Sequence, residues 1–203
     1  MRMRTVTVTG HGSAPAVPDS AVVRVAAVRR AAGVAEAFAA VSASVERIGE
    51  VARRHTEPHR IASQGLNVWT WHDNQGEARG FEARHGLAIG CPDLTAAGSL
   101  LTDLAQEIGD ALQLDGVTLE VSDPAAAQGR AREAAYADAR ERAAQLAALS
   151  DATLGAVQQV VEGGGARPME TGELARAAST STARIEPGET RIGAGVTVTF
   201  ELL

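Results

Sequence analysis

Five histidines, one cysteine and two tryptophans are the side chains on which chemistry would first be sought. His55 and His59 stand four residues apart, the spacing at which two imidazoles on one helix can share a zinc ion. Pro58 lies between them, however, and no cysteine or carboxylate stands at a helpful distance. The pair reads as a solvated helix end, where cationic forms suit the helix dipole. His72 precedes a turn and is expected to be exposed. His85 alternates with apolar residues, which favours a satisfied interior histidine over a catalytic base. His11 and Ser13 place an imidazole and a hydroxyl two residues apart, but there is no G-x-S-x-G elbow and real triads assemble in space. Cys91 is the single cysteine, so no intrachain disulfide or C-x-x-C motif is possible, and nothing beside it stabilises a thiolate. Gly163-Gly164-Gly165 offers backbone amides to an anion, yet no helix follows to supply a dipole. A flexible loop over 163–184 is the simpler reading, and Arg176 to Thr182 within it could be phosphorylated or serve as a tether. No catalytic, cofactor-binding or metal-binding residue is assigned.

Trp69 and Trp71 are the better lead. Residues two apart on a strand point the same way, and this pair alternates with Leu66 and Val68. If helices cover the latter face, two indoles project from the outer one, with Arg84 as a polar neighbour. Three readings stay open: an interface, a ligand shelf, or a patch covered by another part of the chain such as the late loop.

The elements that position these residues follow from periodicity. Thr5 to Thr9 alternates as a strand, which Gly10-His11-Gly12 and Pro15 to Pro18 are expected to break. A second strand spans about Ala21 to Arg30, and a helix about Val34 to Arg54 has the stripe Val34, Phe38, Val41, Val45, Ile48 and Ala52. The order recurs. A strand through Leu66, Val68 and Thr70 turns at Asp73-Asn74-Gln75-Gly76 into a partner with Phe81, Ala83, His85, Leu87 and Ile89 on one face. Asp93 then N-caps a helix from Leu94 to Leu112. A short strand at Val117, Leu119 and Val121 precedes Asp123-Pro124, which opens an alanine-rich helix to about Leu149 with Ala131, Ala135, Ala139, Ala143 and Leu146 inward. Strands at Gly155 to Val161 and Val196 to Leu202 complete the order ββα-ββα-βα-ββ. This is an α+β fold, a largely antiparallel sheet covered by long helices, read as one domain over 1–203 with two subdomains from the ββα pseudo-repeat as an alternative.

Composition bounds the class. The 203 residues are 45% hydrophobic with net charge −6, enough for a core without disulfides or metal, and the acidic balance argues against non-specific nucleic-acid binding. All 19 cations are arginine, so Schiff-base and P-loop chemistry, which need lysine, are excluded. No apolar run approaches the roughly 18–20 residues of a membrane span, and the N-terminus lacks the pattern of an export signal, so a cytoplasmic location is expected.

Several segments resemble the SIMPL-domain family. Val8-Thr9-Gly10-His11-Gly12 with Pro18-Asp19-Ser20-Ala21 is similar to its T-G-x-G and P-D-x-A opening, and Gly80-Phe81-Glu82-Ala83 to its G-[FY]-x-A strand. The run from Ala131 to Arg140 resembles its A-R-x-x-A-x-x-D-A helix, Leu154-Gly155 its L-G strand, and Pro187-Gly188-Glu189 with Val196 to Phe200 its closing segment. The resemblance implies a domain of unknown function, often exported or periplasmic, linked in some members to oxidative stress and in at least one to a ring-like homo-oligomer. It carries over no catalytic residue. The expectation is a non-enzymatic, self-assembling scaffold without cofactor. The alternatives are a small-molecule binding module on the Trp69 and Trp71 face and, third, an enzyme using His85 or Cys91.

Overall fold

A computed structural model describes residues 4–163, 168–169 and 185–203. In chain order these form β1 (Thr5–Ala16), β2 (Ser20–Ala31), α1 (Val34–Ala52), β3 (Ile61–His72), β4 (Ala78–Cys91) and α2 (Leu94–Ile108). There follow β5 (Leu112–Glu120), α3 (Ala125–Leu149), β6 (Leu154–Gly163), the two-residue β7 (Pro168–Met169) and β8 (Thr190–Leu202). The α+β class holds, with two antiparallel sheets in place of one: β1-β8-β6, with β7 also on β8, and β3-β4-β2-β5. Each sheet belongs to its own compact unit. The first unit holds described residues 4–17, 121–163, 168–169 and 188–203, and the second holds 18–120 and 185–187.

In the first unit β1 runs unbroken through Gly10 and Gly12 to Ala16 and pairs with β8, Val8 opposite Val198 and Gly12 opposite Ala194. The two glycines do not end the strand. They lie on its inward face, where a methyl group at Gly10 would overlap the Ala135 carbonyl and come to 2.8 Å from Ala139 Cα. At Gly12 it would overlap the Ala131 carbonyl and come to 2.8 Å from the Ala134 carbonyl carbon. Helix α3 therefore rests on the β1 backbone itself. Its inward residues Ala127, Ala131, Ala135, Ala139, Ala143 and Ala147 repeat every four positions, a ridge inclined to the helix axis. That drift carries Leu146 outward and puts Ala147 in its place. The helix begins at Ala125 with Pro124, not Asp123, at the N-cap position and no side-chain cap there, while Asp123 Oδ1 accepts from the Ala125 amide at 3.0 Å in the turn before it.

The free edge of β1 is closed by side chains of α3. Asp138 Oδ2 accepts from the His11 amide at 2.8 Å, Arg142 donates to the Thr9 carbonyl at 3.3 Å, and Arg130 donates to the Pro15 carbonyl at 3.1 Å. Pro15 fits an edge strand because it has no amide hydrogen to leave unmet. The His11 amide, with Arg142 second among the helpful partners, holds the Asp138 carboxyl below its ordinary range. Asp138 thus ties a helix to a strand edge, beyond the i,i+4 pairing with Arg142 at 3.0 Å.

In the second unit Ala21, Val23, Val25 and Ala27 of β2 and Ala83, Leu87, Ile89 and Cys91 of β4 form one core with α1 and α2. The inward side of α1 is Ala37, Val41, Ser44, Ile48 and Val51, so Val34 and Phe38 are half exposed rather than buried. Small Ala37 takes the inward place that the stripe gave to Phe38. Buried Ser44 accepts from Arg29 Nε at 2.9 Å and donates to the Ala40 carbonyl at 3.1 Å. Helix α2 stops at Ile108 rather than Leu112, where Gly109 turns the chain with φ +59°, and β5 begins at Leu112 instead of Val117. The Asp93 cap is present, its Oδ1 accepting from the Ala96 amide at 2.7 Å. Of the late loop, Gly163 ends β6 and Pro168–Met169 pair with β8; Gly164, Gly165 and the Arg176 to Thr182 stretch lie outside the described residues.

Candidate functional site

The hairpin that carries the tryptophans is fixed by its turn. Asp73 Oδ1 accepts from the Gln75 and Glu77 amides at 2.9 and 3.0 Å, Arg79 Nε meets Asp73 Oδ2 at 2.6 Å, and Gly76 takes φ +81°. The Arg79 contact, followed by the Glu77 amide, holds the Asp73 carboxyl below its ordinary range. The turn sets β3 against β4 so that Val68 lies opposite Ala83, Trp69 opposite Glu82, and Trp71 opposite Gly80. Val68 packs against the helix-side core, which leaves Trp69 on the outer face. Leu66, expected under the helices, is partly exposed beyond a β-bulge between Ser63 and Gly65.

The two indoles have different surroundings. Trp69 is 42% exposed. Trp71 is half-buried, and the Arg30 guanidinium lies 4.5 Å from its ring centroid in a cation–π contact. Gly80, across from Trp71, has φ +143°, and a methyl group there would overlap the Ala31 carbonyl. Only glycine suits that position. Arg30 also meets Glu82 at 2.6 Å, and Glu82 lies between Trp69 and Arg30 across three strands. Arg84 is ion-paired with Asp115, which also accepts from Gln113 at 3.2 Å, and Arg24 donates to Thr118 Oγ1 at 2.5 Å.

The structure thus places Trp69, Trp71 and Arg84 on one sheet face and adds Arg30, Glu82 and Asp115 to them. Arg24 and Arg30 have the parity opposite to Ala21, Val23, Val25 and Ala27, a signal legible in the sequence, although Arg29 breaks the alternation by turning inward to Ser44. Their partners depend on register between distant strands.

The other candidates are engaged elsewhere. His55 Nε2 lies 2.8 Å from Asp103 Oδ2 in a cluster joining α1 and α2, where Arg54 pairs with Glu107 and Arg47 donates to the Glu107 carbonyl at 3.1 Å. His59 sits in a separate short helical turn, Pro58–Arg60. Among the described residues no group of three His, Cys, Asp or Glu is placed to hold a metal ion. His85 Nε2 meets Ser63 Oγ at 3.0 Å. Cys91 is 1% exposed, and burial pushes its thiol up to about 11. His72 is exposed, and no helix among the described residues is long and apolar enough to cross a membrane.

The family model described as SIMPL, protein of unknown function (DUF541), matches residues 6–200. The chain belongs to the SIMPL family. No curated protein matches it. The T-G-x-G opening of this SIMPL chain now has a physical reason in the seat of α3 on Gly10 and Gly12. The aspartate of its helix motif has one in the β1 edge.

Proposed function

We propose that this SIMPL-family chain is a non-enzymatic protein that assembles with itself through the outer face of β3 and β4, with Trp69 at the contact. The observation that carries this reading is the internal matching of charge around an exposed indole: Arg30 with Glu82, and Arg84 with Asp115. A partner can cover such a face without leaving a buried charge unpaired, while the indole supplies apolar area and a rigid anchor. The same pairing leaves Arg84 less available to hold a small molecule, which favours self-association over the ligand-shelf reading.

A link to oxidative or envelope stress would act through assembly rather than through thiol chemistry. A thiol titrating near 11 is ionised in on the order of one molecule in ten thousand at neutral pH. The test is the native mass of Trp69→Lys against the parent chain, by light scattering after gel filtration. The variant is expected to run as a smaller species. An unchanged oligomer would remove this face from the contact, and quenching of Trp69 by a metabolite panel would then support the binding-module alternative.

A further inference from the structure

Strand β8 is the centre of the first unit's sheet, and its outward face carries two glycines, Gly193 and Gly195, where branched or aromatic residues suit a strand better. Nothing within the described fold requires them. Neither has a positive φ. A methyl group at Gly193 would meet only the Gly12 carbonyl, at 3.9 Å, and one at Gly195 would meet His11 Nδ1 at 3.7 Å, both ordinary contacts. Gly10 and Gly12 are the opposite case, because α3 fills the space a side chain would need. A strand-interior glycine marks a bulge, a tight bend, or a close approach of a ligand or another backbone, and no register shift falls at Gly193 or Gly195.

The side chains around this bare floor point to an anion. In the β1–β8 register Gly193 lies opposite Ser13 and Gly195 opposite His11. Arg191, two residues before Gly193 on the same face, reaches across so that its Nη1 stands 3.4 Å from Ser13 Oγ. Arg191, Ser13 and His11 are all exposed, and Arg191 makes no ion pair among the described residues. Asp138, which bonds the His11 amide, also receives Arg142, so its oxygens are both engaged.

We propose that Arg191, Ser13 and His11 form a binding site for an oxyanion, the phosphate or carboxylate group of a small ligand seated over Gly193. The planar guanidinium matches two oxygens of such a group, the hydroxyl and imidazole donate to a third, and the missing side chain lets it approach the strand backbone. The site lies in the first unit and does not depend on the tryptophan face.

Amide chemical shifts of the ¹⁵N-labelled full chain, titrated separately with inorganic phosphate and with citrate, test this. Each anion is taken to about 20 mM in about 150 mM sodium chloride, which screens non-specific attraction. The expected result is a saturable shift of the Ser13, Gly193 and Gly195 amides, with the tighter anion identifying the phosphate or carboxylate class. Arg191→Ala should weaken binding at least about tenfold. Gly193→Val should block it with the melting temperature unchanged or raised. No saturable shift with either anion would overturn the proposal, as would binding that survives Arg191→Ala. Arg191 is exposed, so that variant remains informative if Gly193→Val does not fold.

Discussion

Adding a single methyl group to the inward face of β1 should cost more than any surface change in this chain. At Gly10 the new carbon would overlap the Ala135 carbonyl and approach Ala139 Cα to 2.8 Å, and these are backbone atoms of a helix that cannot rotate away. Relief requires α3 to lift on the order of 1 Å, breaking its close contact along several alanines. The His11 amide would then lose Asp138, and the Thr9 carbonyl would lose Arg142. Overpacking alone costs about 1–3 kcal/mol, and the added loss of edge hydrogen bonds puts Gly10→Ala at about 3 kcal/mol or more. That is a large share of a total of about 5–15 kcal/mol. Gly193→Ala is the control, because its methyl group meets only the Gly12 carbonyl at an ordinary 3.9 Å, and it should be neutral or stabilising by up to about 1 kcal/mol. Urea unfolding followed by far-UV circular dichroism includes α3, the longest of the three described α-helices, in its signal. Tryptophan emission does not, since both indoles lie in the other unit. A loss below about 1 kcal/mol for Gly10→Ala, or an equal loss for Gly193→Ala, would refute the seat of α3 on β1.

Other expected outcomes follow from the same contacts. Asp138→Ala should lower the melting temperature and flatten its fall in acid; because the folded carboxyl is held low, its contribution is present above the unfolded pKa and lost as pH drops through the folded one. A melt series with the same acid limb in variant and parent would contradict this. Cys91 should resist alkylation in the native chain at neutral pH and react once urea is added. Its raised pKa means the fold holds the thiol proton more tightly, so above the ordinary thiol range stability should fall with pH by up to about 1.4 kcal/mol per unit until about 11. Cys91→Ala should remove that slope, and an unchanged slope would assign it elsewhere. Arg30→Ala should uncover Trp71, shifting emission to the red and costing about 1 kcal/mol; emission identical to the parent would place Arg30 off the ring.

Where neighbours in sequence are neighbours in space, the residues were legible. Asp73 to Gly76 makes the hairpin, Asp93 caps α2, and Phe81, Ala83, Leu87 and Ile89 of β4 join the core, while His85 of the same face stays outside it with Ser63. The rest depends on partners far along the chain. Consecutive β1 and β2 belong to different sheets because β1 pairs with β8, and no local pattern announces that choice. Gly10 and Gly12 look like strand breakers until α3 is laid on them. Phe38 and Leu146 fit apolar stripes equally well inside or out, and small neighbours, Ala37 and Ala147, take the inward places because the helices lie close. For the candidate face, alternation supplied Trp69 and Trp71. The Arg30–Glu82 bridge that decides its chemistry spans strands fifty-two residues apart in the chain.

The most direct test of self-assembly is the native mass of the unmodified chain by light scattering at two protein concentrations. A discrete species several times 20.9 kDa is predicted, unchanged over the concentration range. A monomer of 20.9 kDa at both concentrations would contradict the central claim.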